Sequence, residues 1–192
     1  MTAPHRRNEQ ARQAILRAAL ELCHERGYAA LTMEGVAARA GVGKQTIYRW
    51  WPSKGTVVLE AFQEALRPQL DGAPEAGDPL SGLEKFLRRT ADLLAHPKYG
   101  PMLADLVGAT QHDPALATEF HDQVSGPTRE GTVARIRAAQ AAGQLRDLDP
   151  DLIADACFGP LWFRLLLMRT PPTPAYVESL VDALLTGLRR TA

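Results

Sequence analysis

The feature that most constrains the fold of this chain is the helical spacing of its apolar residues from one end to the other. In the first segment, Ile15, Ala19 and Leu22 fall on one face of a helix, which turns once in about 3.6 residues. No segment alternates apolar and polar residues over the length of a strand, and no tandem repeat occurs. The sequence therefore predicts an all-α fold of about nine helices.

Capping residues divide this pattern into separate helices. Three Asp-Pro pairs, at 78–79, 113–114 and 149–150, place an N-cap aspartate before a proline at the first helical position. Gly27 and Gly41 end the first two helices, because glycine adopts the left-handed conformation of a helix C-terminus. The predicted helices cover residues 8–26, 32–40, 44–50, 54–66, 101–110, 114–142 with a bend at 126–127, 150–168 and 175–190, and a further helix starts at 79.

Composition and charge divide the chain into two parts. Residues 67–79, RPQLDGAPEAGDP, are rich in proline, glycine and acids, which is typical of a linker. The whole chain has a formal net charge of zero, but residues 1–55 carry nine Lys/Arg and only four Asp/Glu. We expect this basic part to bind an anionic partner. We predict a three-helix N-terminal domain at 1–53 and a helical C-terminal domain at 54–192.

The composition also bears on the class and location of the protein. The chain has 192 residues, of which 45% are hydrophobic and 23% charged, as in globular proteins. The longest apolar run, near residues 161–168, is too short to span a membrane and contains Arg164. The N-terminus lacks the apolar core of a secretory signal. Cys23 and Cys157 lie in apolar helical patterns, so we expect buried free thiols in a reducing cytoplasm.

Residues 32–54 have the pattern of a helix-turn-helix, in which two short helices flank a turn that contains glycine. Ala37 and Ala40 are small enough to let the two helices approach closely. The residues predicted to hold the pair together are Val36, Ala37, Ala40, Val42 and Ile47. The exposed face of the second helix carries Lys44, Gln45, Thr46, Tyr48 and Arg49.

The side chains on this exposed face suit a DNA groove. Glutamine pairs with adenine, lysine or arginine pairs with guanine, and a threonine methyl contacts the methyl of thymine. The candidate base contacts are Lys44, Gln45 and Thr46. The candidate phosphate contacts are Tyr48, Arg49 and Lys54, the last at a helix N-terminus. From spacing alone, a helical hairpin with a solvated polar face explains the pattern equally well.

The run LTMEGVAARAGVGKQTIYRWWPSKGTVV, residues 31–58, resembles the DNA-binding segment of the TetR/AcrR family of regulators. The matching residues are Thr32, Val36-Ala37, Ala40-Gly41-Val42, Thr46-Ile47-Tyr48, Ser53 and Lys54. Gly43 departs from the usual serine, Trp50-Trp51 from histidine and phenylalanine, and Gly55 from an acid. The resemblance implies DNA contacts at Gln45, Thr46, Tyr48 and Lys54, with Thr32 beside them. The two tryptophans are expected to form the joint to the next domain.

Residues 141–188 resemble the C-terminal half of a TetR-like effector domain. The resemblance implies a homodimer built from the last two long helices, with a ligand pocket among the helices at about 80–167. The dimer-interface candidates are Leu161, Leu165, Met168, Val177, Leu180, Val181, Leu184 and Leu188. The pocket candidates are Phe86, Leu94, Met102, Leu106, Phe120, Val124, Trp162 and Phe163, which favour a hydrophobic or aromatic effector. Ordinary core packing is the alternative for both sets.

Motifs for catalysis and metal binding are missing from the sequence. It has no Gly-rich phosphate loop, no nucleophile elbow, no CxxC and no HExxH. His112-Asp113 and His121-Asp122 do not have the spacing of metal ligands, so we expect surface histidines and no cofactor.

The sequence as a whole predicts a ligand-responsive, non-enzymatic repressor that binds a palindromic operator as a homodimer. An effector in the C-terminal domain would act through the fourth helix to weaken this binding. One alternative is an all-helical small-molecule-binding or enzymatic domain without DNA binding. Another is an activator or a ligand-insensitive regulator.

Overall fold

The computed structural model describes residues 3–70 and 77–189, with side chains for residues 8–66 and 77–189. The helices are α1 (Ala3–Ala30), α2 (Met33–Ala40), α3 (Lys44–Trp50), α4 (Lys54–Leu70), α5 (Pro79–Ala95), α6 (Tyr99–Thr110), α7 (Pro114–Phe120), α8 (Gly126–Ala141), α9 (Pro150–Trp162) and α10 (Pro174–Leu188). A π-helical turn at His121–Ser125 joins α7 to α8, and another at Phe163–Leu167 extends α9.

This arrangement confirms the all-α prediction. Because the π-helical turns leave no gap, the described helices form nine continuous runs, as the sequence predicts. Within the described ranges, the β-type pairing is limited to an isolated bridge between Leu145 and Arg189. No helix in the described part of the chain combines the length and the apolar character needed to cross a membrane.

Side-chain caps begin the helices where the sequence predicts them. The Thr32 hydroxyl accepts a hydrogen bond from the backbone N–H three residues later at 3.1 Å. Asp78, Asp113 and Asp149 accept similar bonds at the starts of α5, α7 and α9, at 2.9, 3.1 and 3.0 Å. Gly41 ends α2 with a φ of +70°. These local bonds satisfy N–H groups that a helix leaves free in its first turn.

Two predicted boundaries are wrong. α1 begins at Ala3, and although its range continues to Ala30, the backbone leaves helical geometry at Gly27 (φ 77°, ψ 160°), where the sequence predicts the end of the first helix. The residues before Ile15 are mostly polar, so apolar spacing gives no indication of that early start. α4 runs on through Pro68 to Leu70, past the predicted start of the linker at residue 67. The rest of that linker up to residue 76, and the predicted helix end at Arg190, lie outside the described residues.

One compact unit contains the described residues up to Leu70 together with Asp105–Phe120. In it, α1 packs against α2 and α4, α2 against α3, and α4 against α7. Its core includes Ile15, Leu16, Ala19, Val36, Ile47, Val57, Phe62, Leu66 and Leu116. The unit extends past residue 53, and the domain boundary at 53/54 stays a prediction.

The second unit contains the described residues of 77–104 and 121–189. α5 packs against α8, α9 and α10, and α8 packs against α9. Its core includes Leu83, Leu87, Ala91, Leu94, Ile136, Ala139, Ile153, Cys157, Val181 and Leu185. Burial of these aliphatic side chains is the main favourable term in the folding of such a unit.

Candidate DNA-binding site

The α2–turn–α3 segment is held together by a small apolar contact and by the turn at Gly41. Val36 and Ala37 of α2 and Ile47 of α3 are buried, and Ile47 has no exposed surface. The N–H of Val42 donates to the carbonyl of Ala37 at 3.0 Å across the turn. Ala40 and Val42, the other two predicted packing residues, are half-buried.

The predicted DNA-contact residues of α3 lie away from this apolar contact. Lys44, Gln45, Tyr48 and Arg49 are exposed, and Thr46 is half-buried. Tyr48 is 48% exposed, which is high for a large aromatic side chain. α3 therefore has one buried anchor, Ile47, and a continuous polar and aromatic surface around it.

An acidic side chain of α2 reaches this surface. Glu34 Oε1 lies 3.1 Å from Lys44 Nζ. The pKa of Glu34 is below its usual value, because its own backbone N–H donates to the carboxylate and because Lys44 and the Tyr48 hydroxyl stabilise its charged form. Glu34 was not among the predicted site residues, because the identities of α3 side chains do not reveal which α2 side chain contacts them.

Thr32 and Lys54, the two predicted contacts outside α3, both have partners within the protein. Thr32 is exposed and caps α2, as described above. Lys54 Nζ donates to the carbonyl oxygens of Tyr28 and Ala29 at 3.0 and 3.1 Å, and it lies 4.6 Å from the centre of the Tyr28 ring. Lys54 thus ties the start of α4 to the end of α1.

The two tryptophans at the end of α3 have different environments. Trp51 is 3% exposed, and its indole N–H donates to Glu60 Oε2 at 2.6 Å. Arg12 Nε donates to Glu60 Oε1 at 2.8 Å, so Glu60 links α1, α4 and the end of α3. Trp50 is half-buried and packs edge-to-face on Trp51, with 5.5 Å between ring centres. Trp51 is therefore a joint between α3 and α4 inside this unit.

Gly55 marks a close approach of α4 and α7. A Cβ atom at this position would lie 2.8 and 2.9 Å from the two methyl groups of Leu116 and 3.1 Å from the Tyr28 hydroxyl. Leu116 is 1% exposed, so its side chain is closely packed. A larger residue at position 55 would therefore have to displace the Leu116 side chain.

The pocket candidates divide between burial and exposure. Leu94, Met102, Leu106 and Phe120 are buried, Phe86, Val124 and Trp162 are half-buried, and Phe163 is 53% exposed. Leu106 and Phe120 belong to the first unit and the others to the second. A cleft of about 610 Å³ in the second unit is lined by a different set, Gln140, Ala141, Leu145, Arg146 and Asp147. That the eight residues named in the sequence analysis line a ligand pocket stays a prediction.

The dimer candidates also fall into two groups. Leu161, Leu165, Val177 and Val181 are buried inside the protomer, so the alternative of core packing applies to these four. Leu180, Leu184 and Leu188 are half-buried, and Met168 is 55% exposed.

Two large apolar side chains absent from the predicted dimer set, Leu152 and Leu167, are 61% and 72% exposed. In an uninterrupted α-helix, Met168 would share the buried face of Leu161. The π-helical turn at Phe163–Leu167 adds a residue to one turn and changes that register, which α-helical spacing does not foresee.

The histidines and cysteines lie as predicted. His112 and His121 are exposed. Cys23 and Cys157 are buried free thiols, and burial raises the pKa of each to about 11. In the described part of the chain, no group of three or more His, Cys, Asp or Glu side chains is arranged to hold a metal ion.

Comparison with known proteins gives the class to which this fold and helix-turn-helix belong. The family model described as "Bacterial regulatory proteins, tetR family" matches residues 15–61. The model described as "Tetracyclin repressor-like, C-terminal domain" matches residues 73–184. The chain therefore belongs to the TetR family of DNA-binding transcriptional regulators, which are not enzymes.

Individual relatives agree with this assignment. The chain is 31% identical to the uncharacterized HTH-type transcriptional regulator YdeS of Bacillus subtilis, over 97% of this chain and 93% of the relative. It is 30% identical to the DNA-binding transcriptional repressor TetR of Mycobacteroides abscessus, over 96% of each chain. The crystal structure of the TetR family regulator SCO0332 has a TM-score of 0.72 and 36% identity, covering 93% of this chain and 98% of that one.

Proposed function

We propose that this protein is a ligand-responsive repressor that binds a palindromic operator as a homodimer and leaves it when a small hydrophobic effector binds. The observation that carries the proposal is the surface of α3, where four exposed side chains able to contact DNA surround the single buried anchor Ile47. A short helix anchored in this way suits insertion into the major groove.

The α3 side chains divide by chemistry into base and backbone contacts. Lys44, Gln45 and Thr46 lie in the first turn, and the N-terminal residues of a recognition helix contact base edges. Tyr48 and Arg49 lie one turn later and are proposed to hold phosphates.

Lys54 and Thr32 are proposed as further contacts to the DNA phosphate backbone at the edge of this surface. The Lys54 ammonium has three N–H donors and uses two of them on α1 carbonyls, which leaves one for a phosphate oxygen.

A homodimer is proposed because one short helix contacts only a few base pairs. Two copies about one duplex turn apart read both halves of a palindrome. The second unit exposes Phe163, Leu167 and Met168 close together in sequence at the end of α9, each more than half exposed, and Leu152 near its start. A cluster of exposed apolar side chains favours a protein interface.

Repression and effector release are the finer parts of the proposal. The relative from Mycobacteroides abscessus is named a repressor, which supports repression, not activation, by this protein. The apolar pocket candidates favour a hydrophobic effector. Such a ligand would act by favouring a state of lower operator affinity.

A regulator of this kind works where the chromosome is, which assigns the protein to the cytoplasm.

The central test is DNA binding as a function of salt. A duplex enriched by the wild-type protein from a random pool is titrated at several salt concentrations. We expect a steep loss of affinity as salt rises, because phosphate contacts release counterions. A Lys44→Ala/Tyr48→Ala variant should bind about tenfold or more weakly.

The matched control is Arg137→Ala, which removes an exposed cation from α8 in the second unit. It should bind the duplex like the wild type. Equal affinity of the wild type and the double variant would refute the role of α3. Binding without salt dependence would refute the proposed mode of DNA recognition.

Repressor and activator are separated by a transcription measurement. A promoter that contains the enriched sequence is placed before a reporter gene, with and without the protein. Higher reporter output without the protein supports a repressor, and lower output supports an activator instead. The effector is then sought among hydrophobic compounds by the rise in melting temperature that binding to the native state produces.

A further inference from the structure

The ion pair between Glu34 and Lys44 joins α2 to the DNA-facing surface of α3. The two charged atoms are 3.1 Å apart, and the side chains remain 48% and 66% exposed. A single acidic group on α2 therefore engages one of the side chains proposed to contact DNA.

Folding stability does not account for this pair. An ion pair exposed to this degree contributes little to stability, because water and salt screen it. The contact of Arg39 with Glu25 is of another kind, since two guanidinium nitrogens bond both carboxylate oxygens at 3.0 and 2.8 Å and tie α2 to α1. The packing of α3 on α2 rests instead on buried Ile47 and Val36.

We propose that Glu34 is a specificity-determining residue, which reduces the attraction of Lys44 for phosphates on arbitrary DNA and directs its ammonium towards a base edge. This inference rests on the proposed DNA contact of Lys44. Two electrostatic effects carry it. The carboxylate offsets the positive charge that would otherwise favour any phosphate, and its own charge repels phosphate oxygens.

The geometry also leaves Lys44 able to read a base. An ammonium has three N–H donors, and Glu34 takes one of them. The other two stay free for the O6 and N7 acceptors of a guanine, which lie at a fixed place in the major groove. Glu34 already restricts the Lys44 side chain. The side chain therefore loses less conformational freedom when it binds its correct site. Operator binding is therefore reduced less by Glu34 than binding to other sequences.

The test is a double-mutant cycle of Glu34→Gln and Lys44→Gln in the full-length protein. Each protein is titrated with the duplex enriched by the wild type and with sheared herring-sperm DNA, at several salt concentrations. Glu34→Gln should raise the affinity for herring-sperm DNA several-fold and steepen its salt dependence by about one counterion. The ratio of the two affinities should fall. In the Lys44→Gln background, the Glu34 substitution should change that ratio less than it does in the wild type.

The matched control is Glu25→Gln, which removes an equal charge from an exposed side chain that faces Arg39. It should change both affinities by the same factor. Thermal unfolding checks that each variant is folded. If Glu34→Gln leaves the affinity ratio unchanged while Lys44→Gln weakens operator binding, the inference about Glu34 is wrong and the proposed function stands. If Lys44→Gln leaves operator binding unchanged, the proposed DNA contact of Lys44 fails, and the inference fails with it.

Discussion

At the scale of single residues, burial sets the chemistry of the Cys157 thiol in the second unit. Cys157 is 2% exposed, and burial raises its pKa from 9.0 to about 11. The native state therefore holds this proton more tightly than the unfolded state does. As the pH rises from about 9 to about 11, the unfolded state loses the proton first, so the free energy of unfolding falls.

We predict that Cys157→Ala removes part of this alkaline destabilisation. The measurement is urea unfolding of wild type and variant between pH 8 and pH 11, and the quantity compared is the change in unfolding free energy over that range. The wild type should lose roughly 2 kcal/mol more than the variant. Parallel pH curves for the two proteins would show that burial does not hold the thiol neutral.

The same scale shows what residue identities can and cannot predict. The exposure of Lys44, Gln45 and Tyr48 follows from helical spacing around Ile47, because position on a helix fixes the direction of a side chain. The hydrogen bond from Trp51 to Glu60 does not follow, since it depends on how α4 returns past the end of α3. The tryptophans were expected to form the joint to the next domain, whereas Trp51 joins α3 to α4 inside the first unit, and its polar partner comes only from tertiary packing.

At the scale of helices, the approach of α4 to α7 depends on the absence of a side chain at Gly55. We predict that Gly55→Ala lowers the free energy of unfolding by about 1 kcal/mol, because the new methyl group displaces closely packed Leu116. Gly108 in α6 is the matched control, since a Cβ there meets nothing within 4 Å.

Gly108→Ala should raise the stability by about 0.5 to 1 kcal/mol through helix propensity alone. Urea unfolding measures both effects. An equal stabilisation by the two substitutions would contradict the close approach of α4 and α7.

Helix boundaries were predictable where a local side-chain bond sets them. Thr32, Asp78, Asp113 and Asp149 cap their helices within three residues, so the sequence contains the whole interaction. The π-helical turn at Phe163–Leu167 has no comparable local pattern. This turn places Met168 on a different face from the predicted one.

At the scale of the whole molecule, the proposed dimer depends on the exposed apolar side chains of the second unit. We predict that the wild type has twice the chain mass of 21.0 kDa in light scattering. A Phe163→Glu/Leu167→Glu variant should shift towards the monomer mass, because two buried like charges in each subunit oppose association. Operator affinity should fall in parallel, since both half-sites are no longer bound together.

The control for the dimer prediction is Gln111→Glu, which adds a negative charge at an exposed position of the first unit. It should leave the mass unchanged. A wild-type monomer would contradict the proposed homodimer, and a double variant that keeps the wild-type mass would exclude this surface as its interface.

The contact of Trp51 with Glu60 also gives the protein an intrinsic optical probe. The chain has three tryptophans, and two of them, Trp50 and Trp51, adjoin the helix proposed to read DNA. In a Trp162→Phe background, all indole fluorescence would come from this pair. The emission of an indole changes with its hydrogen bonding and solvent contact. The fluorescence of an unlabelled protein would therefore report changes in the packing at the end of α3 as DNA or effector is added.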